Sequence, residues 1–324
     1  MLITDKKLVK LIEKEGKDFD YGSHPKELYQ PIKYIMSLGG KRLRPLLTIM
    51  GYSLFKDDVE YIIKQALAVE VFHNFTLMHD DIMDQAPLRR GKPTVHEKWN
   101  ANTAILSGDV MLVKAYEMLM HGNGFNQEIF DKFNQCAAEV CEGQQLDMIF
   151  EDRKTVGVDE YIEMIRLKTA VLLGFSLELG GILADTSEKN KKALRQFGQN
   201  IGVGFQLKDD LLDVYADKDK FGKQVGGDII ANKKTFLLIT ALKQAKGKHK
   251  TALNNWLKKD DFKPEEKVAA VTEIYNELGI KEQTEQQMNH YFDKGLKALK
   301  KVEAPLIRRG KLRSFAEKLI DREK

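Results

Sequence analysis

Apolar positions recur with helical spacing along nearly the whole chain, and strand-like alternation is almost absent. Residues 57–84 read as one long helix whose middle, Ala66 to Phe72, is apolar on almost every face. Such a helix is usually buried on all sides. A loop from Gln85 to Thr94 follows, punctuated by Pro87, Gly91 and Pro93. Further helices are expected at 100–121, 126–150, 158–184, 188–216 and 232–246, with breaks at Asn123-Gly124 and Gly157. A second polar loop, Ala216 to Ala231, holds Gly222, Gly226 and Gly227. From Lys263 onward two or three more helices are expected, with a Lys/Glu-rich exposed face. No low-complexity linker and no fixed-period repeat occurs, so residues 1–324 read as a single all-α domain.

Composition narrows the class. The 324 residues are 43% apolar and 31% charged, and only 7 are proline, so a large core and long helices are both feasible. The net charge of +4 reads as spread along the chain and does not argue for nucleic acid. Cys136 and Cys141 are the only cysteines, which fits a reducing compartment and a cytoplasmic location. They lack the second pair that a zinc site needs. The N-terminus has charges through its apolar positions and no apolar signal core. No run of ~18 uncharged apolar residues occurs, so no membrane span is expected.

One short motif occurs twice. Asp-Asp-x-x-Asp appears as Asp80, Asp81 and Asp84, and again as Asp209, Asp210 and Asp213. Each copy falls at the C-terminal end of an apolar helical segment. Positions i and i+4 share a helix face, so Asp80 and Asp84 point one way, as do Asp209 and Asp213. Clustered carboxylates repel, and a helix C-terminus disfavours further anions. A cation offsets both penalties, and hard oxygen donors favour Mg²⁺, which also shares its shell with substrate phosphates. One copy alone reads equally well as a solvated acidic helix end; two copies, each before a Gly-containing loop, favour metal.

Cations accompany the acids. Gly39-Gly40-Lys41-Arg42-Leu43-Arg44-Pro45 joins a flexible backbone to three of them, and Arg89-Arg90 follows the first acidic motif. Lys168-Thr169, Lys223 and Lys233-Lys234 come later. Arginine matches phosphate oxygens bidentately and lysine supplies a point charge. Two anionic sites are therefore expected, one bridged by metal and one held by side chains. A smaller constellation comprises Gln144 and Asp147 in Gly143-Gln144-Gln145-Leu146-Asp147, Gln206 before the second motif, and His73 two helical turns before Asp80. A lone buried histidine is more often a core residue than a ligand, but His73 lies on nearly the same face as Asp80.

In their order, these residues resemble the trans-isoprenyl diphosphate synthases, the family of geranyl, farnesyl, geranylgeranyl and longer polyprenyl diphosphate synthases. The resemblance runs from about Gln30 to Leu242. It implies a bundle of long helices around one deep central cavity, the isoprenoid synthase fold, in a homodimer. It implies Mg²⁺, three per active site with substrate bound, at Asp80, Asp81 and Asp84 and at Asp209, Asp210 and Asp213. Isopentenyl diphosphate would meet Lys41, Arg44, His73 and Arg90. The allylic diphosphate would meet Arg89, Lys168, Thr169, Gln206 and Lys223. Asp80, Asp84, Lys168, Asp209 and Lys223 would carry the chemistry: ionisation to an allylic cation, attack by the isopentenyl double bond, and loss of a proton. No side chain stands out as the base, and released diphosphate is a plausible one.

Chain length would be set by Phe72, Phe75 and Thr76, the residues eight, five and four before Asp80. The resemblance implies that a bulky group five residues upstream stops growth at short chains, so a bulky Phe75 with a small Thr76 leans toward twenty carbons, leaving fifteen or twenty-five open. The plainer reading of Phe72 and Phe75 is core packing. The rival functions are a helical terpene cyclase, a metal-dependent phosphohydrolase using His79-Asp80, and a non-catalytic subunit of a heteromeric synthase. GGKRLRP and the second acidic motif oppose the first. The scarcity of further His ligands opposes the second, and two intact motifs oppose the third.

Overall fold

A computed structural model describes residues 5–122, 126–216 and 225–320. The helices are α1 (Asp5–Asp18), α2 (Lys26–Ser37), α3 (Leu43–Tyr52), α4 (Ile63–Met83), α5 (Val95–Lys98), α6 (Ala101–Leu119), α7 (Gln127–Asp152) and α8 (Val158–Ile165). They continue with α9 (Val171–Leu183), α10 (Glu188–Tyr215), α11 (Gly227–Ile230), α12 (Phe236–Gln244) and α13 (Gly247–Lys258). The last three are α14 (Pro264–Glu277), α15 (Ile280–Lys300) and α16 (Leu306–Ile320). Among the described residues the only sheet is a hairpin of two short strands, β1 (Leu88–Arg89) and β2 (Lys92–Pro93).

The structure departs from the sequence expectation at four places. The helix expected from residue 57 opens as a 3₁₀ turn, Val59–Ile62, and becomes α-helical only at Ile63. The helix expected over 158–184 is broken by one π turn, Arg166–Ala170. Helix α13 was not anticipated, because Leu253 is its one buried residue and gives no apolar period. The helix expected from 232 starts at Phe236, where the Thr235 hydroxyl accepts from the Leu238 N–H.

The chain forms two compact units. The first comprises Met1–Cys136 and Phe175–Arg195, the second Ala137–Gly174 and Gln196–Lys324. In the first, α4 packs against α1, α3 and α6, and every residue from Gln65 to Phe72 is buried. The all-round apolar character of that stretch is thus satisfied on every face. Phe72 is fully enclosed, edge-on to Phe133 at 5.0 Å, and Phe133 meets Tyr116 at 4.7 Å and Phe175 at 5.6 Å. In the second unit, the latter half of α10 packs against α15, where Phe292 closes on Gly204. Among the described residues no helix is long and apolar enough to cross a membrane.

Candidate active site

In the first unit, α4 brings Asp80 and Asp81 to its C-terminal turn, and Asp84 caps it, its N–H donating to the Asp80 carbonyl at 2.9 Å. Three carboxylates at the negative end of a helix need compensation. Arg89 provides part of it. Its Nε donates to both Asp81 oxygens at 2.9 Å, and its Nη2 lies 2.6 Å from Asp81 Oδ1 and 3.8 Å from Asp80. Asp81 is buried, Asp80 half-buried and Asp84 exposed.

The β1–β2 turn is Arg90-Gly91, both with positive φ (54° and 73°), as a two-residue hairpin of this hand requires. It turns Arg90 back onto the glycine pair, where Nη1 donates to the Gly39 carbonyl. The guanidinium lies so close to Gly40 that a Cβ there would meet Arg90 Cζ at 2.9 Å. Arg42, also left-handed (φ 47°), turns inward to a buried ion pair with Glu70 at 2.8 Å and donates to the Met36 carbonyl. Arg44 lies in the first turn of α3, and its Nε is buried with no acceptor among the described residues. Burial pushes the Arg44 guanidinium down to about 10, against an opposing pull from Glu70. His73 faces this group from α4. Burial first, then the charges of Arg44, Arg90, Arg89 and Arg42, hold its imidazole well below the usual range, so it is neutral.

In the second unit, Gln206, Asp209, Asp210 and Asp213 share one face of α10 and line a cavity of about 230 Å³ with Asp147, Lys168, Lys233 and Asp228. Lys168 sits in the π turn, a form frequent at functional sites. Its Nζ is 2.6 Å from Asp147 on α7, and Lys233 lies 3.9 Å from the same oxygen. Burial raises the Asp147 carboxyl, but Lys233 and Lys168 outweigh it and hold the group below the usual carboxylate range. Gly143 makes the approach possible: a Cβ there would meet the Lys168 backbone nitrogen at 2.1 Å. Asp210 accepts from the Tyr161 hydroxyl and from Gln206 Nε2 at 3.2 Å. Burial and Asp228 push it up to about 7. Asp228 is itself raised to about 6, by burial and Asp213. Its N–H donates to Asp213 Oδ2 at 2.9 Å, docking the Gly226-Gly227 turn on the end of α10.

The donor sets suit a hard divalent cation. Asp210 and Asp228 stay raised despite the nearby Lys233, and a divalent ion would add the positive charge that favours their carboxylate form. Among the described residues no three His, Cys, Asp or Glu side chains converge as a self-sufficient metal centre. An ion here would complete its shell with water and substrate oxygens, as Mg²⁺ does at phosphate sites.

Residues 25–277 match the polyprenyl synthetase family model. The chain belongs to the polyprenyl synthetase family. It is 41% identical over 268 residues to the short chain isoprenyl diphosphate synthase of Methanocaldococcus jannaschii, covering 82% of this chain and 81% of that protein. A solved geranylgeranyl pyrophosphate synthase superposes with a TM-score of 0.93 at 40% identity, covering 100% of both chains. A geranylgeranyl pyrophosphate synthase from Corynebacterium glutamicum, solved with isoprenyl diphosphate and magnesium, matches at 30% identity and a TM-score of 0.81, over 98% of this chain and 97% of that one. This polyprenyl synthetase therefore has the all-α isoprenoid synthase fold and is an enzyme, a prenyltransferase.

Most residues singled out in this synthetase's sequence fall into two local groups. Arg44, His73, Arg89 and Arg90 gather near the first acidic motif, while Lys41 is exposed beside Gly40. Lys168, Thr169 and Gln206 line the cavity of the second motif, with Thr169 Oγ1 3.4 Å from Gln206 Oε1. Lys223 lies outside the described residues. Phe72 and Phe75 belong to the aromatic cluster, Phe75 lying edge-on to His79 at 4.7 Å. The Thr76 hydroxyl is turned onto the His73 carbonyl at 2.8 Å. Tyr161 and Asp228 were missed, and Asp147 and Lys233 were noted without a role. Asp228 and Lys233 had a signal, since they follow the second motif across a glycine-rich loop. Tyr161 had none, because only the tertiary fold brings it to Asp210.

Proposed function

We propose that this enzyme condenses isopentenyl diphosphate with an allylic diphosphate (dimethylallyl, geranyl or farnesyl) and releases geranylgeranyl diphosphate. The observation that carries the reading is the recurrence of one arrangement: an Asp-Asp-x-x-Asp helix end beside its own cations, Arg89 for the first and Lys168 with Lys233 for the second. Asp80, Asp81 and Asp84, with Asp209, Asp210 and Asp213, would hold Mg²⁺, three ions with substrate bound. Bound Mg²⁺ supplies charge stabilisation for the departing diphosphate.

The chain's own groups do the rest. Lys168, Thr169, Gln206, Lys223 and Arg89 bind the allylic diphosphate, and Lys233 joins them. Lys41, Arg44, Arg90 and neutral His73 bind isopentenyl diphosphate. The buried Arg44 Nε, lacking an acceptor, suits a phosphate oxygen. Apolar walls exclude water and so protect the allylic cation. Phe75, with Phe72 below it and Thr76 above, stops the tail at twenty carbons. The molecule acts as one domain in a cytoplasmic homodimer. Ile105, Leu106 and Val113, exposed along α6, fit a subunit contact.

Incubation with labelled isopentenyl diphosphate, Mg²⁺ and each allylic primer, followed by chromatography of the dephosphorylated products, tests the reading. A dominant twenty-carbon alcohol is expected. Absence of elongation, or release of a cyclic hydrocarbon, would overturn the function. A dominant twenty-five-carbon product would overturn the length alone.

A further inference from the structure

We propose that the tip joining α15 to α16 docks this enzyme on an anionic lipid surface. The charge excess is not spread evenly, contrary to the reading from composition. Residues 297–318 hold eight Lys or Arg against two Glu, a net +6, while the whole chain carries +4. Outside this segment the protein is slightly acidic.

The segment has a defined shape. Helix α15 ends at Lys300, the chain turns over the buried Val302, and α16 starts at Leu306. Arg309 Nη1 donates to the Lys300 carbonyl at 3.0 Å, and the Arg308 and Arg309 N–H groups both return to the Pro305 carbonyl. The tip is thus folded and tied. At its crown Leu306 is 78% and Ile307 74% exposed. In the chain, the exposed Lys297, Lys300 and Lys301 precede that crown and the half-buried Arg308, Arg309 and Lys311 follow it, with the exposed Glu303 between them.

An adjacent pair of large aliphatic side chains in water, collared along the chain by six cations against one exposed acid, Glu303, matches the interface of an acidic bilayer. The apolar pair enters the acyl boundary while the cations meet the headgroups. The apolar stripe of α6 lacks such a collar: Asp109 is exposed within it, and Lys114 is paired with Glu117 at 2.7 Å. The location also suits the chemistry, because a prenyl product is amphiphilic and its tail leaves water on entering a bilayer.

Vesicle flotation tests this, using phosphatidylcholine alone and phosphatidylcholine mixed with phosphatidylglycerol. The full chain should float with the anionic vesicles, not the neutral ones, and high salt should release it. Leu306→Ser with Ile307→Ser should abolish flotation. Lys300→Glu with Lys301→Glu should weaken partitioning about twentyfold or more, from the ~1 kcal/mol expected per cation. Both variants should keep wild-type turnover on soluble substrates, which shows that they fold. The proposal is overturned if the wild type stays in the aqueous layer, if it floats equally with neutral vesicles, or if either folded variant floats like the wild type. Retention on immobilised polyglutamate without any vesicle binding would assign the tip to an acidic protein, which also overturns it.

Discussion

His73 shows how one residue's surroundings become a measurable property. Burial, then the charges of four arginines, hold its pKa well below the ordinary imidazole value of about 6.5. A histidine kept neutral in the fold but protonatable when unfolded contributes its full stability above that value. The contribution is lost as pH falls through 6.5 toward the folded pKa. His73→Gln should remove that dependence, so the drop in Tm between about pH 7.5 and about pH 5.5 should be smaller in the variant than in the wild type. An equal drop in both would place the acid sensitivity elsewhere. Arg42 makes the opposite case. The sequence shows it only as one of three cations in GGKRLRP, yet its partner is the buried Glu70 and its role is architectural. Arg42→Met should cost about 3–5 kcal/mol in urea unfolding, because Glu70 is left buried and unpaired. Adding Glu70→Leu should recover most of that loss.

Elements position these residues, and here the sequence was readable only in part. The long buried α4, the acidic ends of α4 and α10 and the loop after α4 follow from apolar period and turn residues. The π turn at Arg166–Ala170 does not, since Arg166-Leu167-Lys168-Thr169-Ala170 holds no glycine or proline to mark it. Gly143, its partner, carries no local sequence signal of that contact. Gly143→Ala should force α7 away from Lys168, destabilise the fold by about 1–3 kcal/mol and raise KM for the allylic substrate. Unchanged stability and KM would show that the helices relax without moving Lys168. On α4, Phe75→Ala should let the product grow by one or more five-carbon units, while Thr76→Phe should shorten it. Mass spectrometry of the products decides the point. An unchanged distribution in an active Phe75→Ala enzyme would move the floor to another residue of the aromatic cluster, which no sequence period connects to α4.

At the scale of the whole molecule, the helical class and the family were legible because many short motifs occur in a fixed order. The charge asymmetry was not, because a total of +4 hides a segment of +6. Nor were Asp147 and Tyr161 assignable, since residues on different helices meet only once the chain has folded. The proposed function needs the carboxylates of both Asp-Asp-x-x-Asp motifs for metal-assisted ionisation. Turnover measured against Mg²⁺ concentration for the wild type, Asp80→Ala and Asp209→Ala tests this most directly. Each variant should remain folded and lose turnover by orders of magnitude, and excess EDTA should silence the wild type. Near wild-type turnover in either variant, or full activity in EDTA, would contradict it.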